Sequence, residues 1–147
     1  MSHRSVTPLF PDNILPEPVD VDTALTLLGR MVRDRRPKIS EIRDVVAEHF
    51  NVAPLDLDGP IRAMNLVMAR HVCYYFARKF NGMSLADIGR RCGGRDHSSI
   101  LYGVQRVERM VLNSPLIAQE LEGLRLKIAE RVLIRNARNN RHASKSN

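Results

Sequence analysis

Apolar residues recur three and four positions apart in six stretches of the chain, a period that predicts amphipathic helices. These stretches run over residues 20–33, 41–50, 61–80, 85–92, 96–111 and 116–137. Each helix has polar residues on its other face, so its apolar face must be buried against neighbouring helices. We therefore expect an all-α protein built as a helical bundle.

Capping residues predict where several of these helices begin. Ser40 is expected to cap the helix that follows it, and Ser84 with Asp87 three residues later forms a capping box. Ser114 and Pro115 suit the cap and first position of the last helix. The helices on either side of Ser84 and Ser114 are therefore expected to be separate elements.

The stretch 51–60 separates two of the predicted helices and contains no helical period of its own. It predicts a loop whose Leu55 and Leu57 point into the core. Polar and proline residues at its ends favour this interpretation.

Residues 84–109 predict a helix-turn-helix. Gly93 and Gly94 are expected to end the first helix, because glycine enters the left-handed backbone region without a Cβ clash. Asp96 or a nearby serine can cap the second helix. One apolar face follows at helical spacing: Ile100, Leu101, Val104, Val107 and Val111.

Polar residues crowd the first turn of this second helix. They are Arg95, Asp96, His97, Ser98 and Ser99, with Arg106 and Arg109 further on. Helix N-termini favour phosphate, and a helix-turn-helix places these turns in the DNA major groove, where such side chains reach base edges. The pattern alone is equally typical of a helical hairpin with a solvated polar face.

The motif SLADIG followed by GGRDHSS and an apolar residue strongly resembles the signature of the C-terminal DNA-binding domain of the bacterial replication initiator DnaA. The resemblance extends upstream through ISEIRDVVAEHFNVAPLDL and RHVCYYFARKFNG, and covers about residues 38–127. It implies a Trp-repressor-like or DnaA domain IV-like helical bundle that contains a helix-turn-helix. It also implies binding to double-stranded DNA at nine-base-pair DnaA boxes.

The resemblance assigns roles to particular side chains. Asp96, His97 and Ser98 take positions that contact base edges in the major groove, with Ser99 near them, and Arg62 takes the position that reads the minor groove. Four more residues take positions used for DNA-backbone contacts or local structure: Arg70, Arg78, Arg95 and Arg106.

The chain departs from the family pattern at three places. Ser98 and Ser99 replace the usual threonine pair and lose the methyl groups that pack on thymine. His71 stands where glutamine is common. The basic loop, residues 59–64, keeps Arg62 alone where the family usually has several Lys and Arg.

Charge is unevenly distributed along this chain of net charge +7. Between residues 39 and 58 only one arginine opposes five acidic residues, whereas between 62 and 109 nine Lys and Arg oppose three. This asymmetry is expected of a protein with one DNA-facing surface. The basic C-terminal end, from residue 125, suits three roles that the sequence does not rank: phosphate contact, docking on an acidic partner, or solubility.

Other chemistry is not indicated. The sequence lacks the phosphate-binding loop G-x-x-x-x-G-K-[ST], so we expect no nucleotide binding and no ATPase activity. Asp96, His97 and Ser98 are consecutive in a predicted helix and point about 100° apart, so they cannot form a catalytic triad. We therefore expect no enzyme activity and no catalytic residue.

Metal, cofactor and membrane binding are not expected either. Cys73 and Cys92 form no metal-ligand pattern with each other or with histidines, and a reducing compartment with free thiols is predicted. We expect no metal, no cofactor, no membrane span and no signal peptide, hence a cytoplasmic, nucleoid-associated protein.

Four segments are predicted. Residues 1–20 are rich in proline and read as a disordered tail, and 21–37 as a connector helix. Residues 38–127 form the DNA-binding domain, and 128–147 the basic helix end and tail.

Two functional hypotheses follow. The first is sequence-specific binding of double-stranded DNA at DnaA-box-like sites, which regulates replication initiation or transcription without an ATPase. The alternative is a protein-interaction module on the same fold, whose partner docks on the flanking helices 21–32 and 116–137, with weak or non-specific DNA binding.

Overall fold

The computed structural model describes residues 20–23 and 36–145. The helices are α1 (Ile39–Phe50), a 3-10 helix (Pro54–Asp58), α2 (Met64–Asn81), α3 (Leu85–Arg91), α4 (His97–Asn113) and α5 (Pro115–Lys145). No residue in the described ranges is in a strand, and the all-α prediction is confirmed. None of the described helices is long and apolar enough to cross a membrane.

The chain divides into two units, residues 1–33 and 34–147. In the first unit the described residues are 20–23, where the Thr23 amide donates to Asp20 Oδ1 at 2.7 Å. The rest of the predicted tail, and most of the predicted connector helix over 21–37, lie outside the described residues.

In the second unit α2 packs against both α1 and α4, and α5 packs against the same two helices. The shared core is apolar and its central residues are almost completely buried: Ile42, Val46, Ala69, Ile88, Ile100, Leu124 and Ile128. Burying a side chain such as isoleucine stabilises the fold by about 1.5–3 kcal/mol. The helix-turn-helix formed by α3 and α4 is therefore anchored on α2.

Two of the three predicted serine caps are confirmed and one is wrong. Ser114 precedes α5, which begins at Pro115, and its hydroxyl accepts from the Ile117 amide at 3.4 Å. The Ser84 hydroxyl accepts a hydrogen bond from the Asp87 amide at 3.1 Å and donates to the Asp87 carboxylate at 2.9 Å. Ser40 is not a cap, because α1 begins two residues earlier than predicted, with Lys38 at the cap position. There Glu41 Oε2 accepts from the Lys38 amide at 2.8 Å, so the carboxylate satisfies the amide of the residue that precedes the first turn of α1.

The segment 51–60 contains the 3-10 helix, and this explains why only one of its two leucines is buried. Leu57 is 3% exposed as predicted, but Leu55 is 86% exposed, so that prediction is wrong. Residues two apart in a 3-10 helix point about 240° apart and cannot both face the core. α2 begins at Met64, three residues later than predicted, because Ala63 is extended.

α5 runs further than predicted, to Lys145, and two of its basic residues pair with glutamates of α1. Arg135 pairs with Glu41 at 2.8 Å and Arg131 with Glu48 at 3.4 Å. At least two cations of the basic C-terminal end are therefore engaged within the protein.

Candidate nucleic-acid interface

The turn between α3 and α4 is shaped by glycines that approach other backbone atoms closely. Gly93 and Gly94 have φ of 83° and 67°, in the left-handed region that glycine tolerates best, as predicted. The Arg95 amide donates to the carbonyl of Gly89 in α3 at 2.9 Å. A Cβ added to Gly89 would lie 2.2 Å from the Arg95 carbonyl oxygen, so the turn lies directly on α3.

The turn presents the first residues of α4 to solvent. Asp96 occupies the cap position, and its carboxylate makes no capping hydrogen bond. It lies instead 3.2 Å from His97 Nδ1, and both side chains are about two-thirds exposed, at 68% and 67%. Ser98 and Ser99 are also exposed. The three side chains predicted to contact bases, and Ser99 next to them, are thus adjacent and accessible.

Arg70 is buried, with 4% of its surface exposed. Its guanidinium donates to four carbonyl oxygens of the preceding segment, at distances of 2.5–2.8 Å. The acceptors are Asp56, Leu57, Gly59 and Ile61. The sequence left two roles open for Arg70, DNA-backbone contact or local structure. These hydrogen bonds give Arg70 a role in local structure.

Arg95 connects the same segment to the helix-turn-helix. Its Nη2 donates to the Gly59 carbonyl at 2.9 Å, the oxygen that Arg70 Nη2 also contacts. Arg62 follows three residues after Gly59 and is exposed. The basic loop is therefore held from α2 and from the turn before α4 at once.

A groove lies between α2 and α4 beside this loop. Its lining includes Arg62, Arg70, His71, Tyr74, Arg95, Ser98, Ser99, Tyr102 and Arg106. No Asp or Glu of the described residues lines it, so its charge is cationic and suits phosphate. The groove collects six of the nine predicted site residues, and Asp96 and His97 are at the start of the same helix α4.

Arg78 is the predicted site residue that lies apart from this groove. It is exposed near the end of α2 and donates from Nη1 to the Met83 carbonyl at 2.8 Å. This contact supports the short connection that leads into α3.

The sequence did not single out Tyr102 or Gly103, and it marked His71 only as a departure. His71 is 9% exposed and its ring meets Tyr102 edge-on, with centroids 5.7 Å apart. A Cβ at Gly103 would lie 2.7 Å from His71 Cδ2, so glycine lets α4 approach this ring. Tyr102 could have been found by helical spacing, because it lies four residues after Ser98 on the same face.

Burial lowers the pKa of His71, and the neighbouring guanidiniums of Arg106, Arg70 and Arg95 act in the same direction with smaller effects, so that the pKa is about 4. Arg106 Nη1 lies 3.4 Å from His71 Nδ1. A guanidinium has only donors, so the imidazole is the acceptor and is neutral.

Acid is expected to destabilise the protein through His71. In the unfolded chain His71 binds a proton below its ordinary pKa of about 6.5, whereas in the folded protein it stays neutral down to about pH 4. The contribution of His71 to stability is therefore complete above pH 6.5 and is lost as the pH falls toward 4. Between pH 7 and about pH 5, the free energy of unfolding should fall by about 1–2 kcal/mol more in the wild-type protein than in His71→Gln. Urea unfolding at both pH values measures this, and equal losses in the two proteins would contradict it.

No group of three or more His, Cys, Asp or Glu side chains in the described part of the chain is arranged to hold a metal ion. Cys73 and Cys92 are free and buried, and burial raises the pKa of both thiols. Both are therefore protonated and poorly reactive near neutral pH.

A short helix, a glycine turn and a longer helix with an exposed polar first turn define a helix-turn-helix protein. Residues 39–107 match the family model described as the bacterial dnaA protein helix-turn-helix. Residues 39–107 therefore form a helix-turn-helix domain of this family, which implies DNA binding related to that of DnaA.

Individual relatives agree with the family model. The chromosomal replication initiator protein DnaA of Brucella abortus biovar 1 is 39% identical over 120 residues, 80% of this chain and 24% of the relative. The proteins of the same name from Cereibacter sphaeroides and Bartonella quintana are 38% and 39% identical over 73% and 75% of this chain, and 24% and 22% of their own lengths. The chain spans about a quarter of the length of the curated relatives it matches.

Proposed function

We propose that the protein binds double-stranded DNA sequence-specifically, at sites of the DnaA-box type. The observation that carries this proposal is the exposed run Asp96–Ser99 at the start of α4, beside a groove that is lined by arginines and by no carboxylate of the described residues. Base-reading and phosphate-binding groups thus share one surface.

The first turn of α4 supplies the chemistry for base recognition. The Asp96 carboxylate is free of capping bonds and can accept from the amino group of cytosine, and serine hydroxyls can donate to or accept from either base of a pair. His97, held 3.2 Å from Asp96, adds a further ring nitrogen at the same edge. We assign these side chains to the major groove.

The loop supplies the second point of contact. Arg62 is exposed on a segment whose carbonyls are held by Arg70 and Arg95, so it is presented from an ordered backbone. A narrow, negative minor groove attracts arginine. We assign Arg62 to the minor groove, and Arg106, which lines the cationic groove, to the DNA backbone.

We further propose a regulatory role, in replication initiation or transcription, exerted by occupying such sites. The sequence contains no phosphate-binding loop, since no glycine is followed by lysine, and this supports action without ATP hydrolysis. Competition with a full-length initiator for its boxes is the simplest form of such regulation. Origin opening by this chain alone, in a reconstituted replication assay, would exclude that role.

The binding proposal is tested by fluorescence anisotropy with a DnaA-box duplex and a shuffled duplex over a salt series. His97→Ala should abolish most of the preference for the box, because one lost base contact costs about 1–3 kcal/mol, or about tenfold or more in affinity. Arg62→Ala should weaken box binding by a similar factor. Arg138→Ala removes an exposed charge from α5 and serves as the charge-matched control.

The outcomes of this experiment separate the alternatives. Equal binding to both duplexes with a steep salt dependence would indicate phosphate contacts alone and contradict sequence-specific binding. An unchanged preference in His97→Ala would contradict the assignment of α4 to base recognition.

A protein-interaction module is the second candidate. It is favoured by the single arginine of the basic loop and by apolar side chains that α5 exposes, since Leu126 and Leu133 are 56% and 63% exposed. No binding to either duplex near physiological salt, together with a stoichiometric partner that co-purifies through α5, would favour this function.

A further inference from the structure

His71 lies where α2, α4 and the turn before α4 meet. Tyr102 and Arg106 reach it from α4, Arg95 from the turn, and Arg70 and Tyr74 are its neighbours on α2. Every charged group among these is a guanidinium, and the groove they line contains no carboxylate from the described residues. This surface therefore has the charge and the hydrogen-bond donors to bind an anion.

The hydrogen bonding of the groove is also incomplete. Arg106 Nη1 points at the unprotonated Nδ1 of His71 across 3.4 Å, a long contact for a guanidinium that would bind an anion better. The hydroxyl of Tyr74, a residue 3% exposed that lines the groove, is buried and has no hydrogen-bond partner. A buried hydroxyl without a partner is costly and points to an acceptor that arrives from outside.

We propose that this groove binds one phosphate of the DNA backbone and that His71 takes up a proton when the phosphate enters. The inference rests on the proposed DNA binding and deepens it. Arg106 turns its N–H groups from His71 Nδ1 to the phosphate oxygens, and the freed nitrogen accepts one proton from solvent. The imidazolium then adds a further donor to the anion, and up to one proton is bound for each duplex bound, according to the pH.

The uptake follows from the charges around His71. Before binding, burial and three guanidiniums oppose protonation and hold its pKa to about 4. A phosphate within the groove offsets those guanidiniums and favours the charged imidazole, so the pKa rises in the complex. Glutamine, common at this position in the family, has no ionisable proton and cannot produce the effect.

The consequence is DNA binding that tightens as the pH falls. If the pKa of His71 in the complex reaches its ordinary value of about 6.5, affinity for the box duplex should rise about tenfold between about pH 7.5 and pH 5.5. His71→Gln should lack this increment. The exposed His97 is present in both proteins, so whatever it contributes to DNA binding is common to both and cancels in the comparison.

Anisotropy titrations of the wild-type protein and His71→Gln at the two pH values measure this difference. The pKa of His71, followed by NMR of its ring protons in the free protein and in the duplex complex, provides a second readout that needs no variant. We expect the rise in duplex affinity from the higher to the lower pH to be at least fivefold larger for the wild-type protein than for His71→Gln. We also expect the pKa of His71 to rise on binding.

Identical pH dependence in the two proteins, or an unchanged pKa of His71 in the complex, would overturn the inference while leaving DNA binding intact. Failure of the proposed function is distinguishable, because then neither protein binds the duplex at either pH. Inorganic phosphate at millimolar concentration separates the two sources of the anion. An equal rise in the pKa with phosphate alone would assign the groove to a free anion and overturn its assignment to the duplex.

Discussion

Gly89→Ala is expected to lower the free energy of unfolding by about 3 kcal/mol or more. The new Cβ would lie 2.2 Å from the carbonyl oxygen of Arg95, and both are fixed to backbone. Relief requires the turn to move away from α3, which breaks the 2.9 Å hydrogen bond from the Arg95 amide to Gly89. The same movement displaces Asp96 and the start of α4, so box binding should fall as well.

Thermal unfolding followed by circular dichroism measures the effect, which should exceed about 10 °C in Tm for a chain of this size. Gly123→Ala in α5 is the matched control, because Gly123 is exposed in a helix with open space around its Cβ position. There alanine should stabilise the protein by about 0.5–1 kcal/mol, its usual advantage over glycine in a helix. Similar effects at the two glycines would mean that the contact at Gly89 is not tight.

Arg70→Ala is expected to lower the free energy of unfolding by about 3 kcal/mol and to weaken box binding. It leaves four carbonyl oxygens without their charged donor. The oxygen of Gly59 keeps a donor from Arg95, and the oxygen of Asp56 keeps the Gly59 amide at 3.2 Å. Water can reach part of this exposed loop, and so the loss is smaller than four charge-assisted hydrogen bonds. The loosened loop must then be ordered again before Arg62 can enter the minor groove.

A double-variant cycle separates this indirect effect from a direct DNA contact. If Arg70 positions the loop, Arg70→Ala should cost little further affinity in an Arg62→Ala background, because the contact it supports is already lost. Arg78→Ala is the control on the same helix, since Arg78 is exposed and binds one carbonyl. Additive losses of affinity from Arg62 and Arg70 would instead mean that Arg70 contacts DNA itself.

Local signals predicted most helix types and positions. The Ser84 cap, the glycine turn and the burial of Ile100, Val104 and Val107 depend on residues within a few positions of each other, and they are confirmed. Leu101, predicted on the same apolar face of α4, is 40% exposed, so that part of the prediction is wrong. The capping box is only half formed, because the Asp87 carboxylate accepts from the Ser84 hydroxyl instead of the Ser84 amide. The start of α1 was predicted wrongly, because two residues compete for its cap position. Ser40 is a better intrinsic cap than Lys38, but the Glu41 carboxylate binds the Lys38 amide and fixes the start of α1 there.

The candidate site was predictable in its residue types and only partly in their roles. A guanidinium can donate to DNA phosphates or to carbonyl oxygens of its own chain, and the sequence could not decide between these two roles for Arg70. The geometry at Gly59, where Arg70 and Arg95 share one oxygen, joins residues 11 and 36 positions away. Contacts between residues this far apart produce no periodic pattern in the sequence.

The basic end of α5 illustrates the same limit. The sequence ranked none of three uses for its cations, and the fold engages Arg131 and Arg135 with glutamates of α1 more than eighty residues away. Those two charges are partly neutralised within the protein.

By itself, then, the sequence determined the helices, the helix-turn-helix and the family, because helical period, capping and glycine turns are local properties of neighbouring residues. Tertiary structure alone decided which arginines are buried, that the basic loop is held to the turn before α4, and that His71 is kept neutral among guanidiniums. Those features depend on burial and on charges from distant segments, and only packing brings these together.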